Sequence, residues 1–356
     1  MFSKPLTILA TITSILRKIN ASCLLSTTLS EKHFTMNNTT KSGLRFAIAA
    51  TCTVSALVAP HALLGHGFEG DRFFPPTIQT DDPFATDEFS IGFQSFNDPA
   101  GSDGTPKTRE IDVSSEFDKE IFPKLAVGVS GTYINLDPQA HQAPAQDGFD
   151  NIELSAKYQL WEDAPHEWIL SVGCLADLGD TGSKALGVDS FTTYTPTVYF
   201  GKGLGDLPDS LKYLKPFALT GTVGVAIPGE SANPDGSLNS DSLPWGIALE
   251  YSLPYLQQHV EDIGLPKPLS DVIPLVEFSM GTPFDRSGET TTGTINPGVL
   301  WEGKYCQIGA EAVIPVNGHT GANVGAVFQV QIFIDDLFPK IFGHPVFFND
   351  DNESNK

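Results

Sequence analysis

Strict alternation of apolar and polar residues is the feature of this sequence that most constrains its fold. In DNIELSAKYQL (150–160), isoleucine, leucine, alanine, tyrosine and leucine occupy every second position, and polar residues stand between them. The same period of two runs through 108–118, 216–227 and 323–334. This pattern is typical of β-strands that turn one face to an apolar environment and the other to water. The sequence therefore predicts an all-β protein.

The alternating segments are longer than the strands of soluble proteins. Each spans roughly 10–14 residues, whereas soluble strands average about 5–6 and a tilted membrane-crossing strand needs about 9–11. Their length predicts a single transmembrane antiparallel β-barrel of about 12 strands. The predicted strands cover 87–97, 107–118, 124–136, 149–161, 167–178, 190–201, 215–228, 243–253, 272–282, 292–302, 304–315 and 321–334.

The connections between these segments alternate in length, as they do in outer-membrane barrels. Long polar loops, such as SANPDGSLNSDS (231–242), alternate with short turns at 120–124, 162–166 and 303–304. We assign the long loops to the extracellular side and the short turns to the periplasm. Two connections on the periplasmic side, 201–215 and 254–271, are longer, and we interpret them as periplasmic caps.

The start of the chain has the order of a secretory signal peptide. After Met36, the basic Lys41 and Arg45 precede an apolar run at 46–64, and small residues end at Gly67. This order predicts export with cleavage after Gly67; the alternative is an uncleaved anchor helix. The predicted organisation is a start-site over-extension at 1–35, a signal peptide at 36–67, a periplasmic lead-in or plug at 68–86, a barrel at 87–334 and a C-terminal tail at 335–356.

Composition and charge exclude several other classes. The chain carries 21 basic and 43 acidic residues, for a net charge of −22, which argues against a nucleic-acid partner because phosphate binding needs clustered lysine and arginine. Charged residues make up only 18% of the chain, less than a disordered protein would carry. The predicted location is the outer membrane of a Gram-negative bacterium, with membrane lipid and a small-molecule solute as partners. A soluble exported β-sandwich is the alternative fold.

Four stretches of the sequence resemble a known family. GFDNIELSAKYQL (148–160), TPTVYFGKGLGDLPDSL (195–211), EYSLPYLQQHV (250–260) and GTINPGVLWEGKYCQIGAEAVIP (293–315) are similar to Gram-negative outer-membrane barrel proteins grouped near the phenol-degradation meta-pathway transporter-like family. The likeness runs over most of 68–340. It implies a membrane barrel that takes up small, often aromatic or apolar compounds.

No catalytic signature is found in the sequence. It lacks Cys-x-x-Cys, His-Glu-x-x-His, Gly-x-Ser-x-Gly and phosphate-loop patterns. A barrel phospholipase is the natural enzyme alternative, but none of the eight histidines is followed two residues later by serine. The histidines lie in separate loops or ends, so no metal site is predicted. We therefore expect a protein that is not an enzyme and has no cofactor.

The polar faces of several predicted strands carry carboxylates. We expect an acidic lumen that favours cationic or neutral solutes over anions. In the alternative, these acids are rim charges, or they pair with Lys202 and Lys304 to seal a plug. Small residues on other polar faces leave room inside and favour a channel over a non-transporting, structural or surface-binding barrel. The candidate lumen-lining residues are Glu153, Lys157, Glu250, Glu277, Glu302 and Glu311.

Overall fold

The computed structural model describes residues 74–98, 107–138, 144–233, 236–285 and 290–347. The predicted start-site extension and signal peptide lie outside these residues. Within the described ranges, no helix is both long and apolar enough to cross a membrane.

Strands dominate the described chain, and they join into one sheet of fourteen members. Twelve are long, whereas β4 and β9 are short additions. The strands are β1 (Glu88–Asp98), β2 (Thr108–Phe122), β3 (Leu125–Pro138), β4 (Gln146–Phe149), β5 (Ile152–Asp163), β6 (Trp168–Leu178), β7 (Thr193–Gly203), β8 (Phe217–Gly224), β9 (Ile227–Pro228), β10 (Ser242–Tyr251), β11 (Val272–Pro283), β12 (Thr292–Glu302), β13 (Cys306–Pro315) and β14 (Gly325–Phe333).

The twelve long strands close into a ring. Each pairs antiparallel with its neighbours along the chain, and β1 pairs with β14 from Glu88↔Phe333 to Ser95↔Ala326. Closure leaves no free sheet edge, so the backbone hydrogen bonds are satisfied within the ring. The predicted twelve-stranded antiparallel barrel is confirmed.

One predicted strand starts three residues later than expected, beside a buried asparagine. The segment predicted at 149–161 forms β5 from Ile152 onward, whereas the short β4 lies almost wholly in the connection predicted before it. The Asn151 side chain donates to Asp177 Oδ1 at 3.1 Å and to the Asp189 carbonyl at 3.0 Å, and it accepts from the Gly182 amide at 3.0 Å. These bonds organise the extracellular connection between β6 and β7, and the ladder is interrupted where they form.

Large apolar side chains cover the outside of the barrel. Phe93 and Val299 are each 48% exposed, although both lie within strands. Exposed apolar side chains on this scale suit lipid rather than water. A closed barrel with such an exterior is the architecture of outer-membrane proteins, and it locates this chain in that membrane. Other outward-facing members of this apolar belt are Val113, Val129, Leu154, Val172, Val198, Leu219, Leu249 and Phe328.

Short helical segments occur mainly at the periplasmic end. The two long periplasmic connections contact each other, because the Lys212 ammonium lies 2.7 Å from Glu261 and the Tyr213 hydroxyl donates to the same carboxylate at 2.6 Å. The segments are 3₁₀ turns at Ala164–His166, Lys184–Leu186, Asp209–Leu214 and Leu269–Asp271, a π turn at Leu256–Val260, and α turns at Leu253–Tyr255 and Ile334–Leu337.

The described part of the C-terminal tail packs on the periplasmic end of β2. The Phe342 ring contacts the Phe117 ring edge-on, with ring centroids 6.3 Å apart. The ring centroids of Phe347 and Phe122 lie 5.1 Å apart. Lys119 donates to the carbonyl of His344 at 2.9 Å. The chain therefore passes from the end of β14 across to β2.

A charge placed in the middle of the apolar belt should destabilise the barrel. Val198 is the central residue of β7 and faces outward, so Val198→Arg is expected to lower the free energy of unfolding by about 2–4 kcal/mol, as arginine does at the bilayer midplane. Urea titration in phosphatidylcholine vesicles, followed by tryptophan emission, measures this loss.

Ser130→Arg is the matched control, because Ser130 faces the lumen opposite Glu153. We expect this variant to unfold within about 1 kcal/mol of the wild type, because lumen substitutions tune selectivity rather than insertion. Equal losses for the two variants would contradict the assignment of the β7 faces.

Candidate functional site

A wall of buried polar side chains lines one side of the barrel interior. Alternation along β10, β11, β12 and β13 directs one glutamate from each strand inward. All four are almost completely buried, with 4% exposure or less. Carboxylates buried to this degree need hydrogen-bond donors or a shared proton. The four residues are Glu250, Glu277, Glu302 and Glu311.

The chain that precedes β1 covers this wall. Residues 74–87, here called the lumen segment, run inside the barrel without forming a strand. Their contacts reach β5, β6, β11 and β13, so the segment crosses the lumen. Because several of its residues are buried by strands on both sides, the lumen segment narrows the interior.

Glu277 is the main attachment point of the lumen segment. Its Oε1 accepts the Ile78 amide at 2.6 Å, and its Oε2 accepts the amides of Gln79 at 3.0 Å and Thr80 at 2.6 Å. Three successive backbone N–H groups that converge on one carboxylate form an anion-binding nest. Hydrogen bonds to an ionised acceptor are stronger than neutral ones, so this contact holds the segment firmly against β11.

Side chains on other strands hold the segment through its carbonyls and acids. Gln307 Nε2 donates to the Pro76 carbonyl at 2.7 Å, and the Ser171 hydroxyl donates to the Pro83 carbonyl. The Lys157 ammonium lies 2.8 Å from Asp81 Oδ1 and 4.9 Å from the centre of the Tyr199 ring. The only base predicted in the lumen is therefore committed to the lumen segment.

Apolar contacts complete the attachment. Phe74 and Phe84 pack with Ile169, and their ring centroids lie 6.0 Å apart. Gly201 makes room for this packing, because a Cβ there would lie 2.5 Å from the Phe74 ring. Ile78 packs on a second cluster formed by inward-facing Ile273, Leu275 and Leu300.

The lumen segment ends at an ion pair with β2. Asp87 pairs with Lys119, and its Oδ1 accepts the Glu120 amide at 2.6 Å. Burial raises the pKa of the Asp87 carboxyl, although Lys119 and the Glu120 amide act in the opposite direction. Lys119 also holds the C-terminal tail, so one lysine contacts both the end of the lumen segment and that tail.

A cavity of about 220 Å³ remains beside the lumen segment, on the side of β1, β2, β3 and β5. Its charged lining is strongly acidic. Lys157 is the single base among the lining residues, and it already pairs with Asp81. The acidic lining residues are Asp81, Asp82, Glu88, Glu116, Asp118 and Glu153.

The six candidate residues from the sequence thus fall into two groups. Glu153 and Lys157 line the cavity, whereas the four buried glutamates lie on the wall that the lumen segment covers. Lys202 pairs with Asp206 at 3.0 Å, and Lys304 lies over the Tyr305 ring. A role for the six residues in transport stays a prediction.

Sequence reasoning missed several residues that build this site. Gln307 alternates in phase with known inward positions, so the period of two could have identified it, and Asp118 lies on the predicted polar face of 108–118 but is not among the six candidates. The acids of the lumen segment, Asp81 and Asp82, lie in a stretch without periodicity. Among the described residues, no cluster of three or more histidine, cysteine or carboxylate side chains is arranged to hold a metal ion.

Comparisons with known proteins give structural neighbours at low identity. An outer membrane channel from Pseudomonas putida F1 is 12% identical with a TM-score of 0.49, over 72% of this chain and 98% of that chain. The KdgM porin is 11% identical with a TM-score of 0.39, over 68% and 98% of the two chains. The NanC porin is 9% identical with a TM-score of 0.41, over 70% and 99%.

At these identities and TM-scores, the comparisons identify neither a solute nor a mechanism. No protein-family profile matches the chain, and no curated protein matches it. The resemblance to the phenol-degradation family therefore stays a prediction.

Removal of the Glu277 charge should loosen the lumen segment. Glu277→Gln keeps one acceptor oxygen but replaces the other with an NH₂ group that faces backbone N–H groups. Hydrogen bonds to a charged group contribute about 1.5–3 kcal/mol, so exchange of the Ile78, Gln79 and Thr80 amides should accelerate about 10–100-fold. Hydrogen–deuterium exchange with mass spectrometry measures this change.

Glu250→Gln is the control, because Glu250 is also buried but accepts from Thr220 on the neighbouring strand, at 3.3 Å. Exchange of the three amides should change less than threefold in this variant. Unchanged protection in Glu277→Gln would show that the nest does not hold the segment.

Proposed function

We propose that this chain is an outer-membrane channel for small neutral or cationic solutes, narrowed by the lumen segment. The acidic cavity beside that segment is the observation that carries the proposal. A barrel with a structural role alone would have no need of a polar, incompletely filled interior. The cavity, together with the polar faces of the strands, supports a passage for solutes.

The charges of the cavity favour cations. Six carboxylates face one lysine whose ammonium is already paired. Low-dielectric walls focus the field of such an acidic lining, which raises the local concentration of cations and repels anions. Neutral solutes are not repelled and enter according to their size.

The covered wall supports a second, wider passage. Glu250 Oε2 and both amide atoms of Asn296 are buried without a hydrogen-bond partner among the described residues. A buried polar group without a partner costs about 1–3 kcal/mol, and displacement of the lumen segment would let water bond these atoms. Since the segment belongs to no strand ladder, it can leave the wall while the ring stays closed.

The apolar part of the same wall indicates which kind of solute the channel could accept. Ile273, Leu275 and Leu300 face inward and are covered by Ile78. In a barrel with its segment displaced, they would offer an apolar contact to an aromatic or aliphatic solute. This surface agrees with the aromatic and apolar compounds that the family resemblance implies. A non-transporting, surface-binding barrel is the alternative, and conductance distinguishes it.

The channel should be selective for cations through its cavity acids. In planar bilayers with a KCl gradient, we expect the wild type to pass K⁺ in preference to Cl⁻. The double variant Glu153→Gln with Asp118→Asn removes two cavity carboxylates and should lower the K⁺/Cl⁻ permeability ratio at least twofold. The reversal potential gives the ratio directly.

Glu230→Gln is the control for loss of a carboxylate outside the cavity, since Glu230 is exposed in an extracellular loop. Its permeability ratio should equal that of the wild type. Anion selectivity in the wild type would refute the acidic passage. A folded barrel without any conductance would favour the non-transporting alternative.

Deletion of residues 74–86 should widen the passage. The ladders of the ring do not involve these residues, so the barrel should remain folded, and single-channel conductance should rise at least threefold. Single-channel recordings on the wild type, the deletion variant and Glu277→Gln test this. We expect Glu277→Gln to open more often than the wild type to the higher conductance of the deletion variant. Equal conductance in wild type and deletion variant would show that the segment does not limit flow.

A further inference from the structure

An apolar groove lies on the outer face of the barrel, across the seam where β1 meets β14. Its volume is about 460 Å³, which lies within the range of small-molecule sites, about 300–1,000 Å³. Ser95, Ala310 and Ala326 form its floor, and Phe93 and Phe328 form its wall toward the middle of the belt.

Strand register explains the groove. Phe93 lies opposite Phe328 on the paired strand, and the next outward pair toward the extracellular side is Ser95 opposite Ala326. Ala310 on β13 lies beside Phe328. Two large rings are therefore followed by small side chains, which leaves a depression in the extracellular half of the apolar belt.

Arg109 closes the extracellular end of the groove. Its register partner on β1 is Asn97, four residues beyond Phe93, which corresponds to about 14 Å along the strand. The side chain is exposed, and its guanidinium pairs with no carboxylate of the described chain. Lys107 stands two residues earlier, on the same side of the chain.

We infer that this groove binds an acyl chain of a phosphate-bearing glycolipid of the outer leaflet, with the lipid phosphate at Arg109. The groove is continuous with the apolar belt, so acyl chains already surround it. Guanidinium binds phosphate through two parallel hydrogen bonds, and no carboxylate of the described residues pairs with Arg109 in competition. In a chain with a net charge of −22, an exposed arginine beside lipid is a specific point of attraction for an anionic headgroup.

The geometry matches such a lipid in length as well as in charge. The phosphate would sit at the rim, near the first residue of β2, and the chain would descend over the small floor to the Phe93 and Phe328 rings. A ligand with this arrangement must be anionic at one end and apolar over about 14 Å, since the strand rises about 3.4 Å per residue.

Lipid binding to the purified full barrel in detergent tests the inference. The probes are bisphosphorylated hexa-acyl lipid A, its dephosphorylated form and phosphatidylglycerol, each titrated and followed by native mass spectrometry. Arg109→Gln removes the phosphate contact, and Ala326→Phe fills the floor. We expect each variant to weaken binding of bisphosphorylated lipid A at least fivefold.

Two matched controls keep the test specific. Lys184→Gln removes an extracellular-side cation outside the groove, and Ala156→Phe adds the same ring at another outward alanine. Both should bind within twofold of the wild type, and heat-modifiable mobility should show all four variants folded.

Three results would overturn the inference. Equal affinity for bisphosphorylated and dephosphorylated lipid A would show that Arg109 does not bind the phosphate. Tighter binding of phosphatidylglycerol than of lipid A would show that the groove does not prefer the outer-leaflet glycolipid. A change of oligomeric state in Ala326→Phe, measured by sedimentation, would assign the groove to a second copy of the chain.

Discussion

The pairing of β1 with β14 is the constraint on which the rest of the structure depends. In lipid, an unpaired strand edge would leave a row of backbone N–H and C=O groups without partners, each at a cost of several kcal/mol. Closure removes both edges at once, and it forces every strand to present one face to lipid and one to the interior. The apolar exterior, the polar wall and the groove at the seam all follow from this arrangement.

The interior combines a rigid ring with an inserted segment that is held in a different way. The ring is stabilised by continuous ladders, whereas the lumen segment is held by side-chain acceptors and donors on six strands, β1, β2, β5, β6, β11 and β13, and by two small apolar clusters. Losing the segment's contacts leaves the ladders intact. The ladders of the ring and the filling of its interior therefore depend on different residues.

Much of the fold could be predicted from the sequence, because a period of two is a local property. Strand number, the two faces and the positions of Glu277 and Lys157 inside the barrel follow from it. The later start of β5, directly after Asn151, could not be predicted, because Asn151 bonds to a loop about 30 residues away. The path of the lumen segment could not be predicted either, because Ile78 and the Glu277 side chain that accepts its amide are 199 residues apart in sequence.

Lys119 joins two parts of the chain that are far apart in sequence. Its ammonium binds Asp87, where the lumen segment enters β1, and it also binds the carbonyl of His344, close to the end of the described chain. The pair with Asp87 involves only the entry to β1 and β2, whereas the bond to His344 also needs the residues that follow β14. An incomplete barrel that lacked the C-terminal residues would therefore keep the Asp87 pair at this lysine but lose its bond to the tail.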